Sequence, residues 1–200
     1  MGRPDPDTLL SRWREAPERF FTEVLGIEPW SRQLGVIRAV RENDRVAVRS
    51  GHKVSKSNTA AGLALWFVCC YPGARVPMTS STFGQVRKIL WRELRQLYQS
   101  AEAPIGGDLS KSPKYGLTFE DGREVFGFST REPENAAGIS GEHLLYIVDE
   151  ASGVPEDVFE AIEGNRAGGA KIVLFSNPTQ QSGTFYQAFH SKREFWHTIH

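Results

Sequence analysis

Residues Val46 to Phe67 read VAVRSGHKVSKSNTAAGLALWF, and the fold follows from this stretch. Val46-Ala47-Val48 is a short apolar run of the kind that forms a buried strand. A small-residue loop, Ser50 to Ser55, follows it. Lys56-Ser57 then opens a run with helical spacing and good helix formers. Strand, tight loop, Lys-Ser and helix is the layout of a phosphate-binding P-loop, where backbone N–H groups converge on anionic oxygens. In that layout Lys56 reaches the β- and γ-phosphates and the Ser57 hydroxyl ligates Mg²⁺. Arg49, Ser50, Gly51, His52, Lys53, Val54 and Ser55, with Asn58 just inside the helix, are the accompanying nucleotide-site candidates. Laid on G-x-x-x-x-G-K-[ST], the two glycine positions hold Ser50 and Ser55. If Ser55 holds a negative φ, its Cβ can point away from the phosphate and the N–H cradle survives; Lys53 is expected to face solvent or an interface, and His52 to pack the loop.

The chain has 200 residues, 40% apolar and 24% charged, enough for one large α/β domain with a substantial core. Formal net charge is zero, so bulk electrostatics give no argument for a nucleic-acid partner, and any such contact needs a local patch. The candidates are the basic side of a helix bearing Arg87, Lys88, Arg92 and Arg95, and the loop Gly106 to Lys114 with Lys111 and Lys114. No apolar run approaches the roughly 20 residues of a membrane span. The N-terminus is polar and amphipathic without an apolar signal core, which makes the cytosol the expected location. Cys69 and Cys70 are adjacent and lack zinc-ligand spacing, and they are read as buried structural thiols.

Helical spacing covers residues 8 to 24, and a second helix starts at Pro29-Trp30-Ser31 and runs to about Val40. After the P-loop helix come a strand around Arg75 to Ser80 and a helix from about Phe83 to Ser100. Ala103 to Pro113 reads as an exposed loop. A hairpin follows, Tyr115 to Phe119 and Glu124 to Ser129 around Glu120-Asp121-Gly122. Residues 130 to 143 form another loop. Strand Leu144 to Val148, helix Pro155 to Glu163, strand Lys171 to Ser176 and a last strand at Phe195 to Ile199 complete the pattern. Parallel strands alternating with helices imply a mostly parallel, doubly wound α/β sheet flanked by helices.

Leu144-Leu145-Tyr146-Ile147-Val148-Asp149-Glu150 is an apolar strand ending in two carboxylates. In a P-loop enzyme the first acid binds Mg²⁺ and the second orients or deprotonates the attacking water. Another apolar strand, Ile172-Val173-Leu174-Phe175, ends at Ser176-Asn177-Pro178-Thr179. Asn177 there is placed either to hydrogen-bond the γ-phosphate or the catalytic water, or to cap a turn before proline.

From Trp30 to Tyr186 the chain resembles the ATPase domain of the large terminase subunit of tailed bacteriophages. The resemblance rests on Trp30 with Gln33, SGHKVSKS, Thr79-Ser80-Ser81-Thr82 with Gln85, Trp91, Gly138 to His143 leading into LLYIVDEAS, and SNPTQQSGTFY. It implies a RecA-like P-loop ATPase, with Mg²⁺ and ATP, that pumps double-stranded DNA into a procapsid in the host cytoplasm. Its implied partners are the portal, the small terminase subunit and further copies of itself in a ring. It implies that Gln33 with Trp30 contacts adenine and that Asn177 couples hydrolysis to movement. Residues 1–28 would be an N-terminal helical extension, and the family's C-terminal nuclease domain is expected to be absent, leaving a single motor domain. A ring ATPase needs an arginine to stabilise transition-state charge. Arg131, Arg166 and Arg49 are the candidates. Two other readings remain at this level: a helicase-type translocase, and a nucleotide-binding assembly module with little hydrolysis.

Overall fold

Apolar runs along the chain become the strands β1 (Arg45–Arg49), β2 (Ala74–Thr79), β3 (Asp108–Leu109), β4 (Gly116–Thr118), β5 (Glu124–Gly127), β6 (His143–Val148), β7 (Lys171–Ser176) and β8 (His197–Ile199). The computed structural model describes residues 5–51, 55–110, 115–131, 134–165 and 168–200. The strands form one eight-stranded sheet in the order β3-β4-β5-β2-β6-β7-β1-β8. From β5 to β8 every neighbouring pair is parallel, and β4 and β3 continue the sheet antiparallel at one edge. Parallel strands covered on both faces need apolar side chains in both directions, which is why β6 and β7 read as unbroken hydrophobic runs.

Helices cover the two faces. On one side lie α2 (Pro17–Glu23), α3 (Ser31–Glu42), α4 (Lys56–Cys70) and α6 (Trp91–Ser100), whose apolar residues share a cluster with Val46, Val48, Ile147 and Phe175. On the other, α7 (Glu134–Ala137), α8 (Glu156–Asn165) and α9 (Gly183–Ala188) share a cluster with Ala47, Tyr146, Val148 and Leu174. Successive strand residues therefore feed opposite layers. α4 is apolar all round because it is buried all round, between the sheet and the N-terminal helices α1 (Pro6–Glu15) and α2. A Cβ at Gly62 would lie 2.4 Å from Phe21 Cε1, so only glycine lets that ring seat on α4. Trp66 Nε1 donates to the Trp13 carbonyl at 2.8 Å and fastens α1 to the same helix.

Several boundaries differ from the sequence expectation. The helical spacing over 8 to 24 is split at Ala16, which is non-helical at φ −132° and ψ 76° before Pro17, a residue that cannot continue the α1 ladder. The helix expected over 83 to 100 begins with α5 (Phe83–Gln85) and passes through a π-helical stretch, Val86–Leu90, before α6. Val86 and Leu90 are buried there, while Arg87 and Lys88 are exposed. The loop expected over 103 to 113 contains the short edge strand β3, and Lys111 and Lys114 lie outside the described residues. The loop expected over 130 to 143 contains α7. Among the described residues no helix is long and apolar enough to cross a membrane.

Candidate active site

The parallel strands all end at one edge of the sheet, and the candidate residues gather where β1, β6 and β7 end as adjacent strands. Lys56 and Ser57 open α4, directly after the loop from β1. Lys56 Nζ donates to Asn177 Oδ1 at 2.7 Å and to the Gly51 and Ser50 carbonyls at 3.0 and 3.4 Å. Ser57 Oγ donates to Asp149 Oδ2 at 3.3 Å. The P-loop lysine, its serine, the first strand-end acid and the amide of β7 thus share one site. Asn58 follows in the first turn of α4, half-buried. His52, Lys53 and Val54 lie outside the described residues.

Ser55 is not at negative φ. Its backbone is left-handed, φ 56° and ψ 26°, the conformation that the P-loop pattern assigns to glycine. Its carbonyl accepts from Thr59 Oγ1 at 3.0 Å, and the residue is exposed, so the strain is borne by local turn geometry. An L-residue there costs about 1–2 kcal/mol, partly offset by the lower chain entropy of serine against glycine. Ser55→Gly is therefore expected to raise stability by about 0.5–1 kcal/mol in urea unfolding, with nucleotide affinity kept. A lower unfolding midpoint would show that the serine side chain itself holds the turn.

Asp149 is 3% exposed at the carboxyl end of β6. Burial, then the neighbouring Glu150 carboxylate, push its pKa up to about 6, against the Glu150 N–H, Lys56 and the Ser57 hydroxyl. The cationic compensation from Lys56 is thus incomplete. A hydroxyl and a carboxylate oxygen this close are hard donors that suit Mg²⁺, which takes few protein ligands and fills its octahedron with phosphate and water oxygens. Ser57 and Asp149 fit that group. Glu150, half-buried, is the second left-handed residue outside glycine, φ 49° and ψ 43°.

A cleft beside the phosphate loop is lined by Trp30, Gln33, Val36, Arg49, Phe175 and Ile199. Trp30 is 43% exposed at its mouth. Gln33 is buried: its Oε1 accepts from the Trp30 N–H at 3.3 Å, and its Nε2 donates to Thr59 Oγ1 at 3.1 Å. Thr59 in turn holds the Ser55 carbonyl, so Gln33 reaches the phosphate loop through a residue that the sequence reading left without a role. Ser50 Oγ, also on the cleft, is buried without a hydrogen-bond partner among the described residues.

The three arginine candidates are dispersed. Arg49 sits on the cleft wall, 2.6 Å from His200 Nδ1 and 4.9 Å from the Phe189 ring. Arg131 is exposed beyond the carboxyl end of β5, and Arg166 lies outside the described residues. On the basic helix face, Arg87 stacks over the Tyr115 ring at 5.1 Å, while Lys88, Arg92 and Arg95 are exposed or partly so. Sequence reading also passed over Ser152 and Ser176, whose hydroxyls lie 2.9 Å apart between the β6 and β7 ends. The signal available was the serine in each quoted motif, DEAS and SNPT.

No family model matches the sequence. The chain is 31% identical over 198 residues to the probable terminase large subunit of Enterobacteria phage P7, covering 90% of this chain and 40% of that protein. The ATPase domain of the Thermus phage P74-26 large terminase, in a variant form, superposes with TM-score 0.65 at 22% identity over 86% of this chain and 73% of its own. The large terminase of a second, thermophilic bacteriophage, solved in complex with ADP, superposes with TM-score 0.64 at 15% identity over 85% of this chain and 44% of its own. Related in sequence to a phage terminase large subunit over two-fifths of that protein's length, the chain carries the fold of the large terminase ATPase domain.

Proposed function

We propose that this chain is an ATP-hydrolysing motor domain that powers movement of double-stranded viral DNA into a procapsid. The observation that carries the reading is the meeting of Lys56, Asn177, Ser57 and Asp149 at the carboxyl edge of a parallel sheet, in a chain related to a terminase large subunit. Lys56 exchanges its contacts with Asn177 and the loop carbonyls for β- and γ-phosphate oxygens. Ser57 and Asp149 would hold Mg²⁺, which would supply positive charge next to the phosphates. Glu150 orients and deprotonates the attacking water. The cleft takes the base, with Trp30 across its mouth and Gln33 behind it, and the ADP complex of the thermophilic bacteriophage's large terminase supports nucleotide binding by a domain of this fold.

The same reading assigns the partners. The DNA phosphates, the portal, the small terminase subunit and neighbouring copies in a ring would meet this domain in the host cytoplasm. The transition-state arginine comes from Arg49 in cis or from Arg131 or Arg166. The test is turnover with Mg²⁺ and DNA. Glu150→Gln is expected to retain ATP but release phosphate about 100-fold more slowly, because an amide keeps the shape and loses the base. Full activity in that variant would move the water-activating role elsewhere. Procapsid-dependent DNA uptake by the assembled motor separates packaging from general translocation.

A further inference from the structure

The carboxyl end of β7 touches both halves of the site. On one side the Ser176 carbonyl accepts the Ser50 N–H at 3.2 Å, and Asn177 Oδ1 accepts from Lys56 Nζ at 2.7 Å. On the other side Ser176 Oγ accepts the Ser152 N–H at 3.1 Å and donates to Ser152 Oγ at 2.9 Å. Ser152 Oγ then donates to the Asn177 carbonyl at 2.7 Å. Ser176 and Asn177 are 0% and 6% exposed, so these bonds lie away from competing water.

Ser152 belongs to the 3₁₀ turn Ala151–Gly153, two residues beyond Glu150. That turn adjoins the backbone from which the Glu150 side chain departs, and Glu150 there holds a left-handed conformation that its own type disfavours. Such a conformation persists where neighbouring contacts over-determine it. Here they are the Gly153 N–H on the Glu150 carbonyl at 2.9 Å, the Glu150 N–H on Asp149 Oδ1 at 3.0 Å, and the seryl pair that pins the middle of the turn.

We propose that Ser152 is a positioning residue for hydrolysis. Its hydroxyl, clasped between Ser176 and Asn177, fixes the turn that aims Glu150 and ties that aim to the Lys56–Asn177 contact. When a triphosphate draws Lys56 away, Asn177 exchanges a partner, and the change reaches the Glu150 turn through the carbonyl that Ser152 holds. The acid is thus set for water only with a γ-phosphate in place. This inference rests on the ATPase reading above. A serine that merely caps the turn would affect stability and leave the catalytic constant unchanged.

Steady-state hydrolysis by the full chain with Mg²⁺, ATP and DNA distinguishes the two. Ser152→Ala is expected to lower kcat about 10- to 100-fold, the scale of a small misplacement of a reacting group, while KM stays within about twofold. Ser152→Thr, which keeps the hydroxyl, is expected to recover kcat to within about threefold of the parent. Should the alanine variant melt too low to assay, Ser152→Cys, similar in size and a poor donor, takes its place with the same expected split. A near-parental kcat, a KM that moves in step with kcat, or a threonine variant as impaired as alanine overturns the positioning role. Absence of turnover in the parent chain overturns the ATPase reading and this role together. Normal parental turnover with an unaffected Ser152→Ala overturns this role alone.

Discussion

Lys56→Ala is expected to lower ATP turnover by about 10²- to 10³-fold, the loss that follows when a donor aimed at developing charge is removed from a water-poor site. The lysine is the cation placed by the phosphate-loop turn itself, with Nζ on the Gly51 carbonyl and on Asn177 Oδ1. Alanine strips that charge and also severs the link from the start of α4 to the Asn177 side chain. Phosphate release under saturating ATP checks the result, and titration with a fluorescent nucleotide shows whether binding falls with it. Turnover like that of the parent protein would overturn the phosphate-loop assignment.

Asp149→Asn is expected to do two opposite things, removing activity while strengthening the nucleotide-free fold. The Asp149 carboxyl titrates near 3.8 when unfolded and at about 6 in the folded protein, so the folded state holds the proton more tightly. Its contribution to stability is therefore fully present below pH 4 and is lost as pH rises through 6. At about 1.4 kcal/mol per pH unit, keeping this acid ionised at pH 8 costs the fold on the order of 3 kcal/mol. Asparagine keeps the shape and one acceptor for the Glu150 N–H without the buried charge. In urea titrations the variant should exceed the parent by about 1–3 kcal/mol at pH 8, and the gap should close towards pH 4. Mg²⁺-dependent nucleotide binding should weaken in the same variant, since the anionic ligand is gone. A gap that is constant with pH would mean that the aspartate is already compensated in the fold.

The parallel strands and the four residues that meet around the phosphate loop were legible in the sequence because each rests on local chemistry, whereas the short edge strand β3 was not. β1, β6 and β7 are apolar runs, and Lys56, Ser57, Asp149 and Asn177 stand at or just beyond their ends. What escaped depends on neighbours distant in sequence. The Ser55 backbone is set by a closed turn whose carbonyl is tied to Thr59, and periodicity carries no record of φ. The split before Pro17 did carry a signal in the proline itself, overridden by the apolar spacing on either side. The π-helical stretch leaves no trace in the periodicity, because Val86 and Leu90, four positions apart, share a buried face in an α-helix as well. Gln33 was singled out only through the family resemblance, and its bond to Thr59 required the two helices to be placed side by side.

Strand order has a consequence for how the site comes into being during synthesis. Among the described strands β1 precedes all the others in sequence, yet its partners in the sheet are β7 and β8, which follow all the others. Until residues beyond 171 have left the ribosome, the strand that carries the phosphate loop has no neighbour on either side. Lys56 likewise has no Asn177 to meet. The earlier strands β2, β5 and β6 pair among themselves, so a nascent chain can assemble that part of the sheet first. Docking of β1 then closes contacts of long sequence separation, the slow kind in folding. The edge of the sheet that gathers Lys56, Asp149 and Asn177 therefore matures late, after the strands that pair locally.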